Sequence, residues 1–78
     1  MEEKAKKIII TYFSSTDVLA TEVVCKDKKI GGRIISTPPH IAAGCGMSYI
    51  IGIEKKDEIE KVLSEEKIKF DKIIEVNV

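Results

Sequence analysis

Strand-like and helix-like stretches alternate along the 78 residues in an order that few folds accept. The segment KKIIITYF, residues 6–13, is β-branched and aromatic with few breaks, the pattern of a strand covered on at least one face and central in its sheet. SSTD follows at 14–17, and its short oxygen-bearing side chains suit the orphan N–H groups of a helix start. A helix is predicted from Ser15 or Thr16 to about Lys28, ended by Gly31 and Gly32, which tolerate the left-handed backbone of a helix end. RIIST at 33–37 reads as a short second strand. MSYIIGI at 47–53 reads as a third, with Met47, Tyr49 and Ile51 on one face and Ser48, Ile50 and Gly52 on the other. Ile59, Val62 and Leu63 at helical spacing predict a second helix from about Lys55 to Glu65, with Asp57 and Glu60 as a capping pair. IKFDKIIEVNV, 68–78, is the fourth strand.

The order βαββαβ has one common solution. It is an α+β, ferredoxin-like sandwich: a four-stranded antiparallel sheet in spatial order 4-1-3-2 with both helices on one face. No linker, repeat or low-complexity tract divides the chain, so residues 1–78 are expected to form one domain with a thin, two-layer core. If the first strand runs up, so does the second, and the connection PPHIAAGCG (38–46) then lies at the end of the sheet where the first helix begins.

Charge and composition narrow the partners. Thirteen basic and thirteen acidic residues give a net charge of zero, which removes the electrostatic case for nucleic acid or an anionic membrane as the main partner. Aromatics at 5% and no tryptophan leave little material for stacking on bases. The charged start MEEKAKK carries no secretory pattern and no apolar run has membrane-spanning length, so a cytoplasmic location is expected. In that reducing compartment Cys25 and Cys45 are expected as free thiols.

Cys45 stands between Gly44 and Gly46. Glycine neighbours remove bulk, so a partner can reach the sulfur closely, and exposed N–H groups of the turn, with the positive end of the first helix, would favour the thiolate. The competing reading is that a tight turn needs its glycines and a small residue fits between them. His40 is the one imidazole and a candidate base, or else a solvated loop residue; Pro38 and Pro39 stiffen the entry to the loop as trans bonds. Ser14, Ser15 and Thr16 read as caps, with an anion site on the N–H groups of Ser15 and Thr16 as the functional alternative. Cys25 falls late in the first helix and reads as core or boundary filler, although the helical wheel leaves its burial open. Two cysteines and one histidine, with no C-x-x-C, are too few soft ligands for a structural metal site, and no cofactor is implied.

YFSSTDVLATE (12–22), GGRIISTPPHI (31–41) and GCGMSY (44–49), taken in that order, resemble the small bacterial family described as selenium/sulfur (Se/S) carrier protein-like. The residues that carry the resemblance are Phe13, Ser15, Thr16, Glu22, Pro38, Ile41, Cys45 and Gly46; the chain departs from the family at Pro39, where an arginine is common, and at Ala42, where a serine is common. The resemblance implies a carrier that holds sulfur or selenium on Cys45 as a persulfide or selenopersulfide and passes it from a donor protein to an acceptor protein. The alternative is a non-catalytic interaction module that uses a sheet edge toward a partner or a second copy. A third reading, a Cys25–Cys45 redox pair, is disfavoured because the topology puts the two thiols toward opposite ends of the first helix.

Overall fold

Ile8, Ile9 and Ile10 are all buried, which requires a strand with neighbours on both edges and shielding on both faces. The computed structural model describes residues 6–41 and 45–77 and places that strand, β1 (Lys6–Thr11), at the centre of the sheet. Helix α1 (Ser15–Asp27) leads to the short edge strand β2 (Arg33–Ser36), and β3 (Met47–Gly52) lies between β2 and β1. A single 3-10 turn, Ile53–Lys55, then opens into helix α2 (Lys56–Glu65), and β4 (Lys72–Asn77) forms the second edge. All three pairings are antiparallel and the strand order is β2-β3-β1-β4, the order read from the sequence.

Both helices pack on one face. Ile8, Ile10, Tyr49 and Ile51 of the sheet meet Val18 and Cys25 of α1 and Ile59, Val62 and Leu63 of α2. Burying each of the larger of these side chains contributes about 1.5–3 kcal/mol, so this layer holds most of the folding energy. Tyr12, just past β1, is also fully buried, and its hydroxyl donates to Thr21 Oγ at 2.9 Å while Thr21 Oγ donates to the Asp17 carbonyl at 2.9 Å. That pairing explains why a threonine is buried on α1 while Leu19 and Val23 are left exposed.

Several boundaries differ from the sequence reading. The first helix is ended by Lys29 at φ 59°, not by the glycines: Ile30 N–H returns to the Cys25 carbonyl at 2.9 Å, and buried Ile30 anchors this closure. Gly31 and Gly32 instead make the turn into β2, at φ 100° and 90°. The same device ends α2, with Lys67 at φ 56° and Ile68 N–H on the Leu63 carbonyl, so Ile68 packs on the core and β4 begins only at Lys72. The expected Asp57–Glu60 capping pair is not used, because the 3-10 turn runs straight into α2 and its N-cap, Lys55, makes no side-chain cap bond; Asp57 and Glu58 instead lie in the first turn, where their charge suits the helix dipole.

Candidate functional site

Thr11 pairs with Ser48, so the C-terminal end of β1 and the N-terminal end of β3 lie together, with the start of α1 and the Cys45 loop at that same end of the sheet. Ser14 is the cap: its Oγ accepts from Thr16 N–H at 3.2 Å and its carbonyl from Asp17 N–H at 3.1 Å. Ser15 and Thr16 are exposed in the first helical turn. Of the two N–H groups expected to serve an anion, that of Thr16 is thus engaged within the cap, and the Asp17 carboxylate shares that turn.

On the loop side, Thr37 N–H donates to the Gly46 carbonyl at 3.0 Å and extends the β2–β3 ladder by one residue. Thr37 Oγ and Ser48 Oγ lie 2.6 Å apart, tying the base of the loop. Ile41 N–H closes a turn on the Pro38 carbonyl at 3.0 Å, with both prolyl bonds trans and His40 exposed in the turn. Gly46 has φ 77°, a conformation that makes glycine the fitting residue beside the thiol. Gly44, the other flanking glycine, lies outside the described residues, as does Ala42.

Cys45 is half-buried, packed against the edge of the core, and its Sγ donates to the Met47 carbonyl at 3.3 Å. Among the described residues no N–H donates to that sulfur and no hydrogen bond joins it to His40. Cys25, by contrast, is fully buried, and burial pushes its thiol above the ordinary range. Both cysteines are free. Tyr12 sits between them electrostatically: burial raises its phenol well above the usual value, the hydrogen bond to Thr21 opposes this, and charge on Cys25, Asp17 or Cys45 would add to the rise.

Phe13 and Phe70, read from the sequence as part of the first and fourth strands, lie just outside β1 and β4 at this end of the sheet, and both are exposed, at 66% and 36%. Asp71, next to Phe70, donates its N–H to the Thr11 carbonyl at 2.7 Å.

Against known proteins, the family described as "Putative Se/S carrier protein-like" matches residues 7–75, from the first strand to the last. The chain belongs to this Se/S carrier protein-like family. No curated protein and no solved structure matches it. The matched span contains the whole cap-and-loop arrangement, Ser14 to Thr16 and Pro38 to Gly46. Among the described residues no three His, Cys, Asp or Glu side chains gather as a metal would need, and no helix is long and apolar enough to cross a membrane.

Proposed function

We propose that this Se/S carrier-like protein holds a chalcogen atom on Cys45 and hands it to an acceptor protein. The observation that supports the reading best is the half-exposed thiol next to Gly46 at the open end of the sheet, within a chain that belongs to this family. In the loading step the Cys45 thiolate attacks the outer sulfur of a donor persulfide. A new S–S bond forms, the donor's S–S bond breaks, and the donor cysteine leaves as a thiolate, so no external oxidant is consumed. Delivery repeats the exchange in the other direction toward the acceptor. Selenium, held as Cys–S–SeH, follows the same bookkeeping. The Cys45 proton must leave first, since the Sγ–H now donates to the Met47 carbonyl; His40, five residues earlier in the sequence, is the group we assign to take it. A cytoplasmic setting fits this chemistry, because a reducing compartment keeps Cys45 free between exchanges.

Mass spectrometry after incubation with a cysteine desulfurase and cysteine tests the proposal. An adduct of about 32 Da, one sulfur atom, is expected on the wild type and on Cys25→Ser, and is expected to be lost in Cys45→Ser. No adduct under conditions that load another carrier would refute it.

One observation favours a second reading, a protein-interaction module in which Cys45 is a turn residue. The Cys45 Sγ–H is already satisfied by the Met47 carbonyl, and the outer edge of β2 is free among the described residues to add a strand from a donor, an acceptor or a second copy. Alkylation of Cys45 across pH separates the two: an ordinary midpoint near ~8.5 supports the module and a depressed one supports the carrier.

A further inference from the structure

The side of the sheet away from the helices is the largest feature that the thiol chemistry does not use. Register places Ile74, Ile9 and Ile50 side by side across β4, β1 and β3 on that side. Ile35 and Val76 stand at opposite corners of this row. Among the described residues no element packs over them; Ile9 and Ile50 are buried, at 3% and 9% exposure, and Ile35, Ile74 and Val76 around them are half-buried. Their charged neighbours are cationic. Lys7, Arg33 and Lys72 are the charged residues at the outward positions of the four strands, and no aspartate or glutamate occupies such a position, in a chain whose overall charge is zero. Among the described residues none of the three makes an ion pair, the pairs present being Lys55–Glu58 and Lys56–Glu75.

One corner of the face holds a cavity with two of the cations in its wall. Lys7, Gly32, Arg33, Ile50, Ile51 and Gly52 line a cavity of about 270 Å³. Gly52 has no side chain to fill it, and the protein's own Glu54 carboxylate folds back to within 2.6 Å of the point where a Gly52 Cβ would stand. It reaches this corner without pairing either cation.

We infer that this face docks an amphipathic helix of a partner protein, one whose apolar stripe is flanked by glutamate or aspartate. The fold already displays the packing mode on its other side, where α2 lays Ile59, Val62 and Leu63 on Ile8 and Ile51. On this side the half-buried Ile35, Ile74 and Val76, set around Ile9 and Ile50, are the β-branched residues a helix would meet, and three cations against the single Glu54 carboxylate select acidic flanks through charge complementarity. RNA, the other anionic polymer that binds open sheets of this shape, needs aromatic rings on the face for stacking, and here Tyr12 and Tyr49 are both buried in the helix-side core.

The test is a heteronuclear NMR titration of the isotope-labelled full chain. The probe is a synthetic helical peptide of about 18 residues with a leucine stripe flanked by glutamates; the comparison probes are the same peptide with lysines in place of the glutamates, and an oligouridine RNA. Shifts are expected at the amides of Ile9, Ile50, Ile74 and Arg33 with the glutamate peptide alone. Lys7→Glu with Arg33→Glu is expected to weaken binding about tenfold or more, and added salt to weaken it as well. Should that double variant fail to fold, Arg33→Gln and the salt series on the wild type carry the same discrimination. No shifts up to about 1 mM peptide, shifts confined to α1, α2 or the Cys45 end, equal binding of the lysine peptide, or a preference for the RNA or for a second copy of the chain would each overturn the inference. Cys45→Ser is expected to bind like the wild type, so a failed persulfide assay leaves this result standing and the reverse also holds.

Discussion

Gly31→Ala and Gly32→Ala form a pair in which the same methyl group is added at neighbouring positions with the same backbone problem and different surroundings. Both glycines have positive φ, 100° and 90°, so alanine at either costs about 1–2 kcal/mol in backbone strain. At Gly31 a Cβ would meet nothing within 4 Å, and the strain is the whole effect. At Gly32 it would stand 2.5 Å from Tyr49 Cε2 and 2.9 Å from the Ile50 carbonyl oxygen. The ring cannot swing aside cheaply, because the Tyr49 hydroxyl is tied to the Gly31 carbonyl at 2.7 Å and the side chain is fully buried. Overpacking of this kind adds about 1–3 kcal/mol, for a total of about 2–5 kcal/mol at Gly32. A 78-residue domain has roughly 4–12 kcal/mol of stability, so Gly32→Ala removes a large share of it. Urea unfolding followed by circular dichroism measures this, and the midpoint of Gly32→Ala should fall below that of Gly31→Ala by about 1 M or more. Adding Tyr49→Leu should recover part of the loss, since the shortened side chain vacates the contested space. Equal midpoints for the two alanine variants would refute the claim that β2 enters the sheet under the Tyr49 ring.

Native-state alkylation should label Cys45 promptly and Cys25 at least about a hundredfold more slowly, because Cys25 is fully buried and reacts only after opening; comparable rates would contradict the packing of α1. Thr21→Val strips the partner from the Tyr12 hydroxyl and should cost about 1–3 kcal/mol in denaturant unfolding, whereas Tyr12→Phe with Thr21→Val removes both ends and should cost less than the sum of the single changes. Burial raises Tyr12 and Tyr49, so the folded state keeps protons that the unfolded chain releases above about pH 10. That stabilisation is fully present below the unfolded value and is lost as pH rises toward the folded ones, by about 1.4 kcal/mol per pH unit for each tyrosine. Urea midpoints should therefore fall between pH 10 and 11, and fall less steeply in Tyr49→Phe; a flat profile would contradict the burial of both rings.

How much of this was legible in the sequence depended on which force decided each element. The strands and their order were readable from β-branched runs, and β1 read as central because an unbroken β-branched and aromatic run suits a strand covered on at least one face. The start of α1 was readable because Ser14 works locally, through its own Oγ and carbonyl. What escaped was set by distant contacts. Thr21 rather than Leu19 faces inward because Tyr12 supplies a hydrogen bond from the end of β1, and no helical wheel contains that information. Lys29 and Lys67 take left-handed conformations because Ile30 and Ile68, one residue on, gain burial by doing so. A search for glycine misses both.

The candidate site divides along the same line. Its placement followed from topology alone, since any βαββαβ sandwich of this hand brings the second connection to the start of the first helix. Its chemistry rests on the few residues between Pro38 and Met47, and there the described geometry has a direction: the thiol is held by an acceptor, the Met47 carbonyl, while the cap's N–H groups are engaged by Ser14. The hydrogen bond from Cys45 Sγ to the Met47 carbonyl has to be given up before the sulfur can attack. On the carrier reading proposed above, a donor that docked on the exposed Phe13 and Phe70 would be the trigger for that release. If Cys45 is the carrier thiol proposed above, its reaction with small disulfides should quicken in the presence of the donor protein, and a rate that the donor leaves unchanged would separate the thiol from the surface around it.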